Sequence, residues 1–209
     1  IRLSDELDTP MLIGAPTYLG LDVNEDGYWI WKTHYNSAYL VEGLPPYQRY
    51  DKYFLTPFGE VMPYISAWPW LEEKLLAVGA PGMTFDLAAN PDIERLELKR
   101  ENDVIVLATP ICFEDTMARV CRRMVYERGI KRADVLVNLS NDGWFGSYDP
   151  GRVQHAQIAR FRCIENRVPM VRCANTGLSV SIDAAGRLLG RIGEGRYGEA
   201  RQPGRLEAV

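Results

Sequence analysis

The sequence predicts an α/β fold, because two segments in succession read as a buried strand followed by an amphipathic helix. Val104 to Thr109 (VIVLAT) is an apolar run ended by Pro110, and helical spacing takes over from Asp115. Asp134 to Leu139 (DVLVNL) repeats the pattern, with a polar loop and then a helix from Val153 to Asn166, closed before Pro169. The chain of 209 residues, 46% hydrophobic and 25% charged, has the composition of one globular domain with a full core, which excludes a disordered segment.

The elements follow in order. Met11 to Thr17 and Tyr35 to Val41 read as strands, separated by a Gly/Asn/Asp loop from Gly20 to Gly27. Tyr64 to Phe85 is an aromatic, loop-like insertion whose Trp68, Trp70, Leu75 and Leu76 pack on the body, a lipid-facing lid being the competing reading. In the helix after Asp115, Met117, Val120, Cys121, Met124 and Val125 share one face, and Gly129 is the stop. Met170 to Ala174 and Leu178 to Ile182 are further strands, and Asp183-Ala184-Ala185-Gly186 turns the chain into Arg187 to Ile192 as a hairpin. Beyond Gly193 the pattern is lost.

A net charge of -4 removes the electrostatic warrant for nucleic acid, leaving small molecules, lipid or protein as partners. Four cysteines without a C-x-x-C pair, and two isolated histidines, give no metal site, cofactor site or Cys-His relay. No G-x-S-x-G elbow occurs, and Gly193 to Gly198 matches G-x-G-x-x-G with too little chain behind it for a dinucleotide fold. No run of eighteen apolar residues is present.

Cys112, in TPICFED, stands between a buried strand and the expected helix, where the helix dipole and free N–H groups favour a thiolate. Cys121, Cys163 and Cys173 lack such a position and read as small buried hydrophobes. Lys52, in RYDKYFLTPFGE, suits a thiolate or an oxyanion as partner. Taken alone, Glu60 reads first as a solvated loop acid, and Glu114 as an acid placed at a helix N-terminus.

Three segments in order, DKYFLTPFGE from Asp51, PICFED from Pro110 and NLSNDGWFG from Asn138, are followed by QHAQIARFRCIENRVP and VRCANTGLS. Together they resemble the apolipoprotein N-acyltransferase family within the carbon-nitrogen hydrolase (nitrilase) superfamily. That resemblance implies an α-β-β-α sandwich, two central sheets with outer helices, over residues 1–209 as a single domain, lacking its first strand and helix. It implies no cofactor. Cys112 would take an acyl group from a phospholipid as a thioester and pass it to the amino terminus of an apolipoprotein. Lys52 and the N–H of Phe113 would stabilise the oxyanion, with Glu60 and Glu114 as supporting carboxylates. Asn141, Asp142, Trp144 and Phe145 would shape the adjoining loop, and Arg160, Arg162 and Glu165 would brace it.

The family's general-base glutamate and membrane-spanning helices are expected upstream of Ile1, so the chain reads as an N-terminally truncated piece, inactive alone. Its setting would be the bacterial inner membrane, with this domain on the periplasmic face. Two other readings stand beside this one: a soluble nitrilase-superfamily amidase acting on a small amide, and a non-catalytic binding module.

Overall fold

The computed structural model describes residues 2–57, 59–61, 87–146, 149–192 and 206–208. The Tyr64 to Phe85 insertion and the stretch from Gly193 to Gly198 lie outside the described residues.

After α1 (Arg2–Leu7), β1 (Met11–Val23) and β2 (Trp29–Val41) form one long antiparallel ribbon. Both strands run further than the sequence predicts, and the expected loop shrinks to a turn around Asn24. There the Asn24 side chain accepts from the N–H groups of Asp26 and Tyr28, while Gly20, at φ +68°, stays within the strand opposite Lys32. The outer half of the ribbon carries exposed Tyr18, Trp29 and Trp31. β3 (Gln48–Asp51) completes a three-stranded sheet.

The second sheet has seven strands, in the order β12-β11-β10-β9-β8-β5-β4. They are β4 (Leu96–Lys99), β5 (Val104–Ala108), β8 (Val135–Ser140), β9 (Met170–Ala174), β10 (Val180–Ile182), β11 (Leu188–Ile192) and β12 (Leu206–Ala208). β8 lies parallel to β5 and to β9. The connections are α2 (Ala118–Val125), which is followed by the two-residue strands β6 (Tyr126–Glu127) and β7 (Ile130–Lys131), and α3 (Asp149–Asn166). Parallel neighbours require such crossovers, so the two predicted β-then-α units are the centre of this sheet.

Ala38, Leu40 and Tyr50 of the first sheet share one core with Leu107, Leu136 and Val180 of the second and with Val120, Met124 and Ala159 of the helices. A methyl group at Gly14 would stand 3.6 Å from Leu139, so β1 and β8 face each other at ordinary packing distance. The result is the two-sheet α/β sandwich expected.

One local expectation fails. Cys112 does not sit at the start of an α-helix: Cys112–Thr116 form a 3-10 turn, and α2 begins only at Ala118. Met117 has extended dihedrals, φ -93° and ψ 95°, and this breaks the helical run between the two.

Candidate active site

β5 ends at Ala108, and the chain then runs beside β8, with Ile111 bridged to Leu139, before it turns sharply at Cys112. Cys112 has φ +50°, the left-handed region that costs an L-residue about 1–2 kcal/mol. Such strain persists only where surrounding contacts over-determine it. Two of those contacts come from the Asn138 amide, which donates to the carbonyls of Pro110 at 3.0 Å and of Cys112 at 3.3 Å.

Glu114 is fully buried and ties the turn to the lysine segment. Its Oε1 accepts from the Tyr50 hydroxyl (2.8 Å) and the N–H groups of Tyr53 (2.9 Å) and Phe54 (2.8 Å), and its Oε2 accepts from the Ile111 N–H at 2.7 Å. Burial pushes its carboxyl up to about 7 against the pull of those donors. It is a strut between two segments rather than an acid favoured by a helix dipole.

Lys52 follows β3 directly, its N–H donating to the Asn36 carbonyl. Its ammonium is completely buried, 2.5 Å from Glu60 Oε2 and 3.3 Å from the Thr56 hydroxyl. Glu60, also buried, accepts in addition from the Thr56 N–H at 2.8 Å. Burial works against its ionisation, but the Lys52 ammonium outweighs burial and holds the carboxyl below its usual value. Glu60 and Cys112 line one cleft of about 490 Å³, together with Asn36, Ser37, Asn141, Trp144 and Asn175. The sequence-predicted lysine, glutamate and cysteine segments therefore converge on one place. Phe113 stacks on Phe54 with centroids 6.4 Å apart, a second link between the cysteine and lysine segments.

Asn141 caps the turn of Asp142–Phe145 by accepting from the Gly143 N–H at 3.1 Å. The half-exposed Trp144 ring rests on Gly59, where a methyl group would come within 3.0 Å of it, so this loop closes over the Lys52–Glu60 segment.

Behind the cysteine lies a buried polar network that sequence reasoning missed. His155 of α3 is bonded through Nε2 to Asp115 at 2.7 Å and through Nδ1 to Asp142 at 2.9 Å. Arg172 of β9 reaches Asp115 at 2.5 Å, Asn138 at 2.6 Å and Asp142 at 2.9 Å. Burial disfavours a charged imidazole, yet the two carboxylates outweigh it and raise His155 to about 9. Burial likewise opposes ionisation of Asp142, but His155 and Arg172 bring it down to about 2. Two carboxylates, one guanidinium and one imidazolium thus cancel in charge, which is what makes such a cluster tolerable in a core.

The bracing residues sit differently from the expectation. Arg162 donates to the Thr116 carbonyl at 3.0 Å and pairs with Glu165 at 2.9 Å, so the pair holds the end of the cysteine turn rather than the Asn141–Phe145 loop. Arg160 points elsewhere, donating to the Gly186 carbonyl at 2.7 Å. The helix residues that do hold the loop are His155 and Arg152, the latter donating to the Gly146 carbonyl. Of the other cysteines, Cys121 and Cys163 are buried, with thiols pushed up by burial, whereas Cys173 is exposed and not the buried hydrophobe expected.

Among the described residues, no group of three or more His, Cys, Asp or Glu side chains is arranged to hold a metal ion, and no helix is long and apolar enough to cross a membrane.

Residues 32–198 match the family model for carbon-nitrogen hydrolase. Apolipoprotein N-acyltransferase of Chlorobaculum tepidum is 38% identical over 155 residues, which cover 73% of this chain and 28% of that protein. The Rhizobium rhizogenes protein of the same name is 34% identical over 194 residues, covering 91% and 33%. The chain spans about a third of the length of the curated relatives it matches. Among solved structures, the carbon-nitrogen hydrolase of Helicobacter pylori G27 superposes with a TM-score of 0.60 at 14% identity, covering 91% of this chain and 60% of that one. An amidase from Nesterenkonia gives 0.57 at 14% identity, covering 92% and 61%. At that identity the two structures share the fold. With the family model spanning most of the chain and the cysteine, lysine and glutamate segments converging on one cleft, the chain belongs to the carbon-nitrogen hydrolase family.

Proposed function

We propose that this chain is the acyl-transferring domain of an apolipoprotein N-acyltransferase. The observation that carries the reading is Cys112, held on a left-handed turn in the wall of a cleft that is also lined by Glu60, the ion-pair partner of Lys52. The names of the relatives supply the chemistry.

In the first half-reaction the Cys112 thiol loses its proton to a general base, and the sulfur attacks the carbonyl of a phospholipid ester. The tetrahedral oxyanion is stabilised by Lys52 and the Phe113 N–H, and it collapses to a thioester as the lysophospholipid leaves with the proton. In the second, the amino-terminal nitrogen of a lipoprotein attacks the thioester, an amide forms and the thiol is restored. Glu60 holds Lys52 in place, and Glu114 holds the two segments together. Asn141, Asp142, Trp144 and Phe145 shape the mouth, while Arg162 and Glu165 steady the turn.

We assign the general base to a residue outside the described ones, because the carboxylate in the cleft among the described residues is Glu60, and its Oε2 is already taken by Lys52. A phospholipid donor sets the domain against a membrane; we place it on the extracytoplasmic face of the bacterial inner membrane. The aromatic 64–85 segment is a candidate for contact with lipid.

The test is to incubate the gene product carrying this chain with phospholipid, quench it in acid and map acyl adducts by mass spectrometry. An adduct on Cys112 that disappears in Cys112→Ala is expected; an adduct elsewhere, or one surviving that substitution, rejects the mechanism.

A further inference from the structure

Cys112 belongs to the walls of two cavities of different character. One is the cleft already described, whose lining mixes polar and apolar groups. The other is a hollow of about 220 Å³ bounded by Thr56, Phe113, Trp144, Phe145, Asp142 and His155, and its walls are almost wholly apolar. A further hollow of about 210 Å³ shares Phe113, Phe145 and His155 with it and continues along α3 to Gly151 and Ile158.

Of the polar residues in these walls, His155 and Asp142 have no capacity left for a ligand, and the Thr116 hydroxyl is engaged by the Phe113 carbonyl. Both ring nitrogens of His155 are bonded to carboxylates, and both Asp142 oxygens accept from Arg172, with Ser140 adding a further bond at 2.9 Å. With so little polar surface presented in either hollow, a polar ligand entering here would lose more water contacts than it regains, whereas hydrocarbon loses nothing.

We propose that the two hollows are the seat of the hydrocarbon chain of the acyl group carried by Cys112, the carbonyl remaining in the larger cleft beside Glu60, Asn36 and Asn141. The proposal rests on the acyl-transfer reading of Cys112. At about 30 Å³ for a group the size of a water molecule or a methylene, each hollow holds roughly seven chain carbons. The Phe145 ring belongs to the walls of both. It rests on the helical backbone at Gly151, where a methyl group would lie 2.4 Å from Phe145 Cδ1 and 2.9 Å from Cε1. Alanine there displaces a ring that lines both hollows and so reshapes them, and alanine also suits a helix better than glycine does, so the variant should fold.

The test uses S-methyl and S-octyl methanethiosulfonate, which need no general base. The Cys112 thiolate attacks the sulfenyl sulfur, an alkyl disulfide forms and methanesulfinate leaves. Rates are read for Cys112 by peptide mass, with the exposed Cys173 as internal reference for intrinsic octyl-to-methyl reactivity. At about fourfold per buried methylene, the Cys112 ratio should exceed the Cys173 ratio by at least about tenfold. Gly151→Ala should bring the two ratios within about threefold of each other. Phe145→Ala, which removes a ring from the walls of both hollows and enlarges them, should move the preference to longer alkyl chains.

Equal ratios at the two cysteines in the wild type, or a Cys112 ratio that neither variant alters, overturn the seat. An acyl adduct from phospholipid without chain-length preference overturns the seat and leaves acyl transfer standing. A chain-length preference without any such adduct overturns acyl transfer instead.

Discussion

The Lys52 ammonium lies 2.5 Å from Glu60 Oε2 with neither side chain more than a tenth exposed, so each is the other's main source of solvation. Removing one partner strands the other. Glu60→Gln or Lys52→Met should therefore cost about 3–5 kcal/mol in urea unfolding, more than surface ion pairs give. The double change Lys52→Met with Glu60→Gln should recover part of that loss, and strictly additive costs would reject the coupling. Because the Glu60 carboxyl is held below its usual value, the pair's stability is complete above the unfolded pKa and is lost as pH falls through the folded one.

His155 gives the opposite dependence. Raised from 6.5 to about 9 between Asp115 and Asp142, it contributes stability that is complete below pH 6.5 and disappears as pH rises through about 9. Asp142, lowered from 3.8 to about 2, contributes stability that is complete above pH 3.8 and disappears as pH falls through about 2. The unfolding free energies of wild type and His155→Gln should differ by about 3 kcal/mol between roughly pH 4 and 6.5 and converge toward pH 10. A gap that widens above pH 9 would contradict the imidazolium.

Glu114 accepts at both oxygens, and an amide offers only one. In Glu114→Gln either the Ile111 N–H or the donors of Tyr50, Tyr53 and Phe54 face an NH2 group. A loss of about 1–3 kcal/mol is expected from the orphaned donor, measured by denaturant. Slower alkylation of Cys112 should accompany it, because the turn loses its tie to the lysine segment. Unchanged alkylation at reduced stability would separate the strut from the chemistry.

Gly177 packs on Asp142 so closely that a methyl group would sit 2.0 Å from Oδ2. Gly177→Ala should push that carboxylate off Arg172 and cost about 1–3 kcal/mol. The same variant in an Asp142→Ala background should cost much less, which a thermal-melting cycle can read.

What the sequence made legible was what is local. Lys52 with Glu60, and Cys112 with Glu114, are each close neighbours in the chain, and their motifs could be read as units. Asp115, Asn138, His155 and Arg172 come together from a turn, a strand, a helix and another strand, so no window of sequence contains the cluster. His155 looked isolated because its carboxylates lie 13 and 40 residues away. A signal was nonetheless present: Asn138 interrupts the apolar run DVLVNL, and Arg172 interrupts MVRCA, at positions where a core strand has no use for polarity unless partners wait across the sheet. β3 and β4, at four residues each, were too short to stand out from the charged segments around them. The helix expected directly after Cys112 was displaced because helical periodicity registers a face and not a starting point.

The left-handed dihedral at Cys112 sets thermodynamic preference against usefulness at a single position. Glycine adopts that geometry freely, so Cys112→Gly should yield a sturdier but inert protein, melting a few degrees higher. The residue kept there is the one that backbone preference alone would discard, and relaxation toward glycine would be an early mark of a copy released from its duty.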